Sequence, residues 1–366
     1  MFIAIDGNEA NAPQRVGSNV YAHRLLQGIN HFDPHTHYQI YLKSKPASDM
    51  PPASPHWRYR IFGPRPAWTR WRLPLDLYLT HPRPRLFFTP GHYAPAFSPV
   101  PTVISIMDLA FLYFPETFTP RALAQLKSWT KSSALSATHI FTISHHSKGD
   151  IIKHYGIDPA KITVTYPGSG LEDSPRPNED TIHNVLAAHS LPEKYFLFIG
   201  TNQPRKNLPR LLDAYSVFSK KHPDIKLVLV GKTWHQFSRT NLTLLPGVTQ
   251  LDYLDQPELL AVLSGAQALI FPSLYEGFGL PVLEAMQLGV PVAAALTSSI
   301  PEITADSPLL FDPTSAQAMV SALAKAASLT GEAKQKLIKQ GKIKAKAFTW
   351  EKCTKQTLEV LHELTL

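Results

Sequence analysis

The chain has 366 residues, 44% of them hydrophobic and 17% charged, the balance of a folded protein long enough for two domains of roughly 100–200 residues each. Its single cysteine, Cys353, excludes an internal disulfide, so burial alone must hold the core, and a reducing compartment fits that usage. The formal charge is +8: residues 1–172 hold 17 basic and 10 acidic side chains, residues 173–366 hold 19 and 18, and no window of about 18 uninterrupted apolar residues accompanies this excess.

Residues 1–6 carry no basic leader pattern and read as a strand over 2–6, so a cytoplasmic protein, at most peripheral at the inner face of a membrane, is the expectation. Residues 19–29 have helical spacing. Arg58, Arg60, Arg65, Arg70, Arg72, Arg83 and Arg85 then interleave with Trp57, Trp68 and Trp71. Such a run suits an anionic lipid surface or an acidic acceptor, and equally a solvated basic face. No nucleic-acid-binding motif accompanies it, so nucleic acid is not an expected partner. Apolar runs at 102–107 and 139–144 read as buried strands, each followed by a helical pattern.

Around residues 172–184 the alternation breaks into a polar, proline-containing stretch, which reads as a linker. It restarts with strands at 195–200, 226–231, 266–271 and 290–295, and a helix at 207–221. Repeated strand–helix alternation predicts parallel sheets covered by helices, hence an α/β chain of two units. The boundaries fall at 1–172 for the first unit, 173–190 for the linker and 191–345 for the second. Residues 346–366 form a terminal helix with Trp350, Leu358, Leu361 and Leu364 on one stripe; it docks on a core and can cross back to the first domain.

Two strand-to-helix loops of the second half carry most of the chemistry. The first holds Gly200, Arg205 and Lys206. Adjacent cations at a strand's carboxyl edge can hold a diphosphate and stabilise its charge as it leaves; solvated loop cations are the plain alternative. The second runs from Phe271 through Glu276, Gly277, Phe278 and Gly279 to Leu280, Pro281 and Glu284. Pro281 suits the first position of a helix and Gly289 its end. The helix start offers amides and a positive dipole to phosphate. Glu284 can reach ribose hydroxyls, or simply satisfy that dipole. Capping does not account for Glu276. There is no Asp-x-Asp and no His-Glu-x-x-His, so no metal site and no cofactor are expected.

These segments resemble the retaining glycosyltransferases of family four, of GT-B architecture. The likeness extends to Gly17–Tyr21, to 105–112, to 141–147, to Val230-Gly231-Lys232 and to 296–302. The resemblance implies two Rossmann-like parallel-sheet domains facing across a cleft, the first (1–172) binding the acceptor and the second (191–345) the nucleotide sugar. It implies a mannosyltransferase-like hexosyltransferase of polysaccharide or glycoconjugate biosynthesis, metal-independent and retaining, moving mannose or glucose from a nucleotide-diphosphate sugar to a saccharide or lipid-linked acceptor. Its implied catalytic residues are Glu276, Arg205 and Lys206. Donor contacts fall to Gly17, Ser144, Gly231, Phe278, Gly279, Leu280 and Glu284, and Asp108 lies on the acceptor side. For Ser144, helix capping is a sufficient account by itself. The family usually has histidine where this chain has Met107, and methionine neither titrates nor donates a strong hydrogen bond; either His92, His145 or His146 substitutes, or the acceptor and sugar-contact geometry differs here. An epimerase of similar architecture, or a non-catalytic sugar-nucleotide-binding protein, fits the same motifs.

Overall fold

Among the residues described by the computed structural model (2–15, 17–63, 68–171, 175–231, 245–304 and 307–366), twelve strands pair into two all-parallel sheets. Parallel strands are buried on both faces and so read as unbroken apolar runs, as Ile3, Ala4 and Ile5 or Phe196, Leu197 and Phe198 do here. The chain divides into two units. The first comprises Met1–Leu109, Arg121–Gly168 and Phe348–Leu366, and the second Ala110–Pro120 and Ser169–Ala347.

In the first unit the strands are β1 (Phe2–Asp6), β2 (His37–Leu42), β3 (Trp57–Ile61), β4 (Leu86–Thr89), β5 (Thr102–Ser105), β6 (His139–Thr142) and β7 (Ile162–Val164). Their order is β3-β2-β1-β4-β5-β6-β7. Succession leaves β1 toward one edge and returns beside it at β4, with Ile3 opposite Leu86. That reversal opens a crevice outside the carboxyl ends of β1 and β4, the ordinary ligand position in such sheets. The helix Trp350–Glu363 lies on the helix Ser18–Phe32. A Cβ at Gly28 would meet Thr354 Oγ1 at 2.3 Å, so glycine there permits the close approach. Tyr21 and Trp350 pack with ring centroids 6.0 Å apart.

The second unit has β8 (Tyr195–Ile199), β9 (Lys226–Val230), β10 (Val248–Leu251), β11 (Ala268–Phe271) and β12 (Val292–Ala294), ordered β10-β9-β8-β11-β12. Here the reversal falls between β8 and β11, so the loops after those two strands flank the crevice. Helices Leu208–Phe218 and Ala316–Ser328 bury Leu211, Tyr215, Met319 and Leu323 with Phe196, Phe198 and Ile270 in one core.

The strands stop one or two residues inside several predicted bounds, at 105, 142, 199 and 230 among others. The larger correction concerns 173–190, expected as a linker. Residues 172–174 lie outside the described set, but Glu179–Ala188 is a helix. Asn178 caps it by accepting from the Thr181 amide, and Glu179 and Asp180 occupy its first turn. Ile182 and Leu186 pack toward Gly265 on the neighbouring helix Gln256–Gly265. Ile182 is its one fully buried side chain, too thin a stripe to read as periodicity. Among the described residues no helix is long and apolar enough to cross a membrane.

Candidate active site

The loop after β8 turns through a short 3-10 helix, Pro204–Lys206. Asn207 then takes a left-handed conformation, φ 59°, from which the helix Leu208–Phe218 starts. Asparagine tolerates this better than most residues, and its amide is fully used. It donates to Pro272 O at 3.0 Å and Pro313 O at 2.8 Å, while Arg210 donates to its carbonyl at 2.7 Å. Leu274 N also donates to Arg205 O at 2.7 Å. The two loops flanking the crevice are thus stitched together by buried hydrogen bonds.

The loop after β11 is equally pinned. Glu276 N donates to Ser298 Oγ at 2.9 Å, and Ser299 Oγ lies 2.9 Å from Glu276 O and 2.7 Å from Phe278 O. Gly279 has φ 118°, a conformation that favours glycine; an added Cβ would also press on the tip of the Ile300 side chain, at 2.7 Å from Cδ1. The helix Leu280–Leu288 follows, with Pro281 in its second position, not its first, and with Gly289 closing it at φ 75°.

Within this frame Arg205, Lys206 and Glu276 form one ion cluster. Arg205 Nη1 lies 2.9 Å from Glu276 Oε2 and also donates to Tyr275 O, while Lys206 Nζ lies 2.5 Å from Glu276 Oε1. Gln203 accepts from Arg205 Nε at 3.0 Å, and Lys206 Nζ stands 5.0 Å over the Phe271 ring. Glu276 and Lys206 are both buried, at 7% and 8% exposure. Burial by itself pushes the Glu276 carboxyl up; the Lys206 and Arg205 charges outweigh it and hold the group at about 2. Glu276 is therefore a carboxylate throughout the physiological range and cannot serve as a general acid there. The cluster carries one net positive charge in a site of low dielectric, where an incoming anion feels it strongly. Tyr275 is covered by Tyr113, stacked at 5.0 Å, which belongs to the Ala110–Pro120 segment of the same unit.

Glu284 sits in the second turn of the helix Leu280–Leu288, half-buried against Gly170. Burial pushes its carboxyl up to about 7, against the lowering effect of the Gly170 backbone hydrogen bond. Gly231 follows β9 at φ 141°, where an added Cβ would run into the Gly200 backbone; Lys232, quoted with it in the motif, lies outside the described residues. Gly17, Ser144 and Asp108 belong to the first unit, apart from this cluster in the chain's division. Gly17 precedes the helix Ser18–Phe32 at φ 51° with open space around it. Ser144 Oγ is fully buried and accepts from the Ser147 amide at 3.0 Å, so what the structure shows of it is helix capping. Asp108 and Met107 are half-buried beyond β5.

Sequence reasoning missed a second constellation, in the first unit. A cavity of 380 Å³ opens at the carboxyl ends of β1 and β4, lined by Asp6, Glu9, Arg70, His92, Tyr93 and Trp129 among others. Asp6 is buried, which pushes its carboxyl up; Glu9 is pushed up by burial and by the Asp6 charge. Tyr93 packs edge-on to Trp129 at 5.5 Å, and Arg70 lies 5.1 Å over the Trp129 ring. Burial pushes His92 down to about 4, so it is neutral at working pH. Of the histidines set against Met107, His92 alone lines this cavity; His145 is exposed beside Tyr166, and His146 stands 3.5 Å from Asp150. The available signal was an acidic residue closing the apolar run of β1. Among the described residues no three His, Cys, Asp or Glu side chains converge as metal ligands.

Residues 182–344, which hold the ion cluster and both loops, match the family of glycosyl transferases group 1. Over 264 residues, 70% of this chain, the sequence is 30% identical to O-antigen chain mannosyltransferase B of Escherichia coli, covering 68% of that protein. The chain belongs to the group 1 glycosyltransferases. This glycosyltransferase is also 28% identical over 224 residues to the O-antigen chain mannosyltransferase RfbU of Salmonella typhimurium, covering 60% of its own length and 59% of the relative's. In fold it is similar to HepE of Anabaena in complex with UDP and glucose, at TM-score 0.74 and 16% identity over 99% of both chains. It is likewise similar to sucrose-phosphate synthase of Thermosynechococcus elongatus, at TM-score 0.72 and 20% identity over 99% of this chain and 98% of that one. The two parallel-sheet units are those of the GT-B glycosyltransferases.

Proposed function

We propose that this glycosyltransferase moves mannose from a nucleoside-diphosphate mannose to a saccharide or lipid-linked saccharide acceptor, with retention at the anomeric carbon and without a metal ion, in the assembly of a surface polysaccharide. The observation that carries it is the buried Arg205–Lys206–Glu276 cluster at the switch point of the second sheet. The departing diphosphate develops negative charge, and fixed cations with the first-turn amides of the helix Leu280–Leu288 offset it without reorganising. Glu276, a permanent carboxylate, suits the positive charge building on the transferred ring or its hydroxyls. Glu284 accepts from the ribose. In the first unit, Trp129 and Tyr93 offer an apolar ring face, and Asp6 and Glu9 offer hydroxyl acceptors, for the acceptor sugar. Mannose is supported by the two O-antigen relatives, and retention by the likeness to family four.

The test is a transfer assay with GDP-mannose or UDP-glucose and a mannosylated acceptor, in EDTA, with the product linkage assigned by NMR. An α-linked mannosyl product from GDP-mannose is expected. Transfer of glucose alone, isomerised nucleotide sugar released without acceptor, or binding without transfer would each overturn the proposal.

Glu284 supplies an independent check. Its carboxyl, held up to about 7, accepts from two ribose hydroxyls at full strength when ionised, and protonation blocks one oxygen and weakens the other. Binding then draws on the carboxylate form, and affinity rises as pH passes upward through that value. GDP-mannose has no phosphate titrating there, so calorimetry should show affinity rising about tenfold between pH 6 and 8. In Glu284→Gln the slope should vanish; a slope that survives assigns the titration to another group.

A further inference from the structure

Exposed apolar side chains are usually scattered singly. In the first unit five of them gather. Trp71 and Leu79 are 60% and 73% exposed, and Leu75, Tyr78 and Phe97 are exposed beside them. Trp71 and Tyr78 both pack on Phe97, at 6.1 and 5.9 Å between ring centroids, so the patch is continuous. It rides on a π-turn, Trp68–Arg72, running into the helix Leu73–Leu79. The opposite face of that element is locked, with Trp68, Leu73 and Leu77 buried among Ala4, Tyr41 and Phe87. The exposed stripe at positions 71, 75, 78 and 79 is therefore held rigidly outward.

Its rim is basic. Residues 50–107 contain seven arginines and one acidic residue, Asp76. Asp76 is buried and receives two hydrogen bonds from Arg60, at 2.6 and 2.7 Å, so those two charges cancel and six arginines are left over. Arg83 borders the patch, 5.9 Å from the Tyr78 ring, and Arg72 follows Trp71 in the chain. An apolar centre with aromatic edges and an arginine rim is the chemistry of an interfacial membrane contact. We propose that this patch seats the protein on an anionic lipid bilayer, with Trp71, Leu75 and Leu79 entering the headgroup boundary and the arginines meeting lipid phosphates. This goes beyond the transferase reading and does not depend on donor or sugar.

The probe is a sedimentation assay with sucrose-loaded phosphatidylcholine vesicles, with or without about one quarter phosphatidylglycerol. The protein sediments with the anionic vesicles and at least about tenfold less with the neutral ones, and high salt releases it. The triple variant Trp71→Ser, Leu75→Ser, Leu79→Ser loses at least about tenfold in vesicle affinity. Because these side chains face water, its melting temperature and its transfer to a water-soluble acceptor remain those of the parent. Equal sedimentation of parent and variant, or equal binding to neutral vesicles, overturns the proposal. So does a protein that ignores vesicles but forms a dimer the variant abolishes, which would make the patch a contact between copies.

Discussion

Lys206→Ala and Arg205→Ala each lower kcat/KM by roughly 100- to 1,000-fold, the usual cost of removing one fixed charge from a developing anion. Steady-state kinetics well below the melting temperature make the comparison fair, because Lys206 is buried and its loss also weakens the lattice around Glu276. The double variant falls short of the product of the two single effects. Both cations hold the same carboxylate, one on each oxygen, so removing the first already disturbs what the second supports. A single variant retaining turnover within about threefold of the parent would separate this cluster from the chemistry. The effect belongs in kcat more than in KM, since charge on the leaving group grows only as the bond breaks.

Gly231→Ala destabilises the second unit by about 2–4 kcal/mol, lowering that unit's melting temperature by roughly 5–15 °C. The reason is geometric. A Cβ at Gly231 would lie 2.2 Å from Gly200 O and 2.8 Å from Gly200 C, and φ is 141°. Backbone cannot swing aside as a flexible side chain can, so β8 and β9 must part where they end. Gly156→Ala is the control. That glycine, which closes the helix His145–Tyr155, also has positive φ, 67° with ψ 26°, but nothing lies within 4 Å of the added carbon, so only left-handed conformational strain of about 1 kcal/mol remains. Calorimetric scans of the two variants side by side should differ accordingly; equal melting temperatures would mean the close approach of Gly200 and Gly231 is not a constraint.

The parallel-sheet architecture was legible because its strands are buried on both faces and appear as short apolar runs, as at 2–6 and 226–230. Arg205, Lys206 and Glu276 stood out by type and by position at strand-to-helix turns. Their mutual pairing did not, because local patterns say nothing about which loop meets which across 70 residues. Asn207 was invisible for the same reason: its hydrogen bonds reach Pro272 and Pro313. The helix at Glu179–Ala188 hid behind polar composition, its cap and acidic first turn outweighing a narrow apolar stripe. The cavity at Asp6 and Glu9 needs five separate stretches of chain, and its aromatic wall at Trp129 is remote in sequence. Trp71, Leu75 and Leu79 look like ordinary core residues until the opposite face of their element is seen to be the buried one.

The two units interleave along the chain. Ala110–Pro120 sits inside the first unit's sequence yet belongs to the second, and Phe348–Leu366 returns to the first after the second is complete. During ribosomal synthesis, then, the earlier-made unit must wait. Its Ser18–Phe32 helix keeps an uncovered apolar side until the Trp350–Glu363 helix emerges. Residues 110–120 likewise stay without their final neighbours until Tyr275 is made. Each unit draws on a second stretch of chain, so a nascent chain interrupted midway exposes apolar surface at two places.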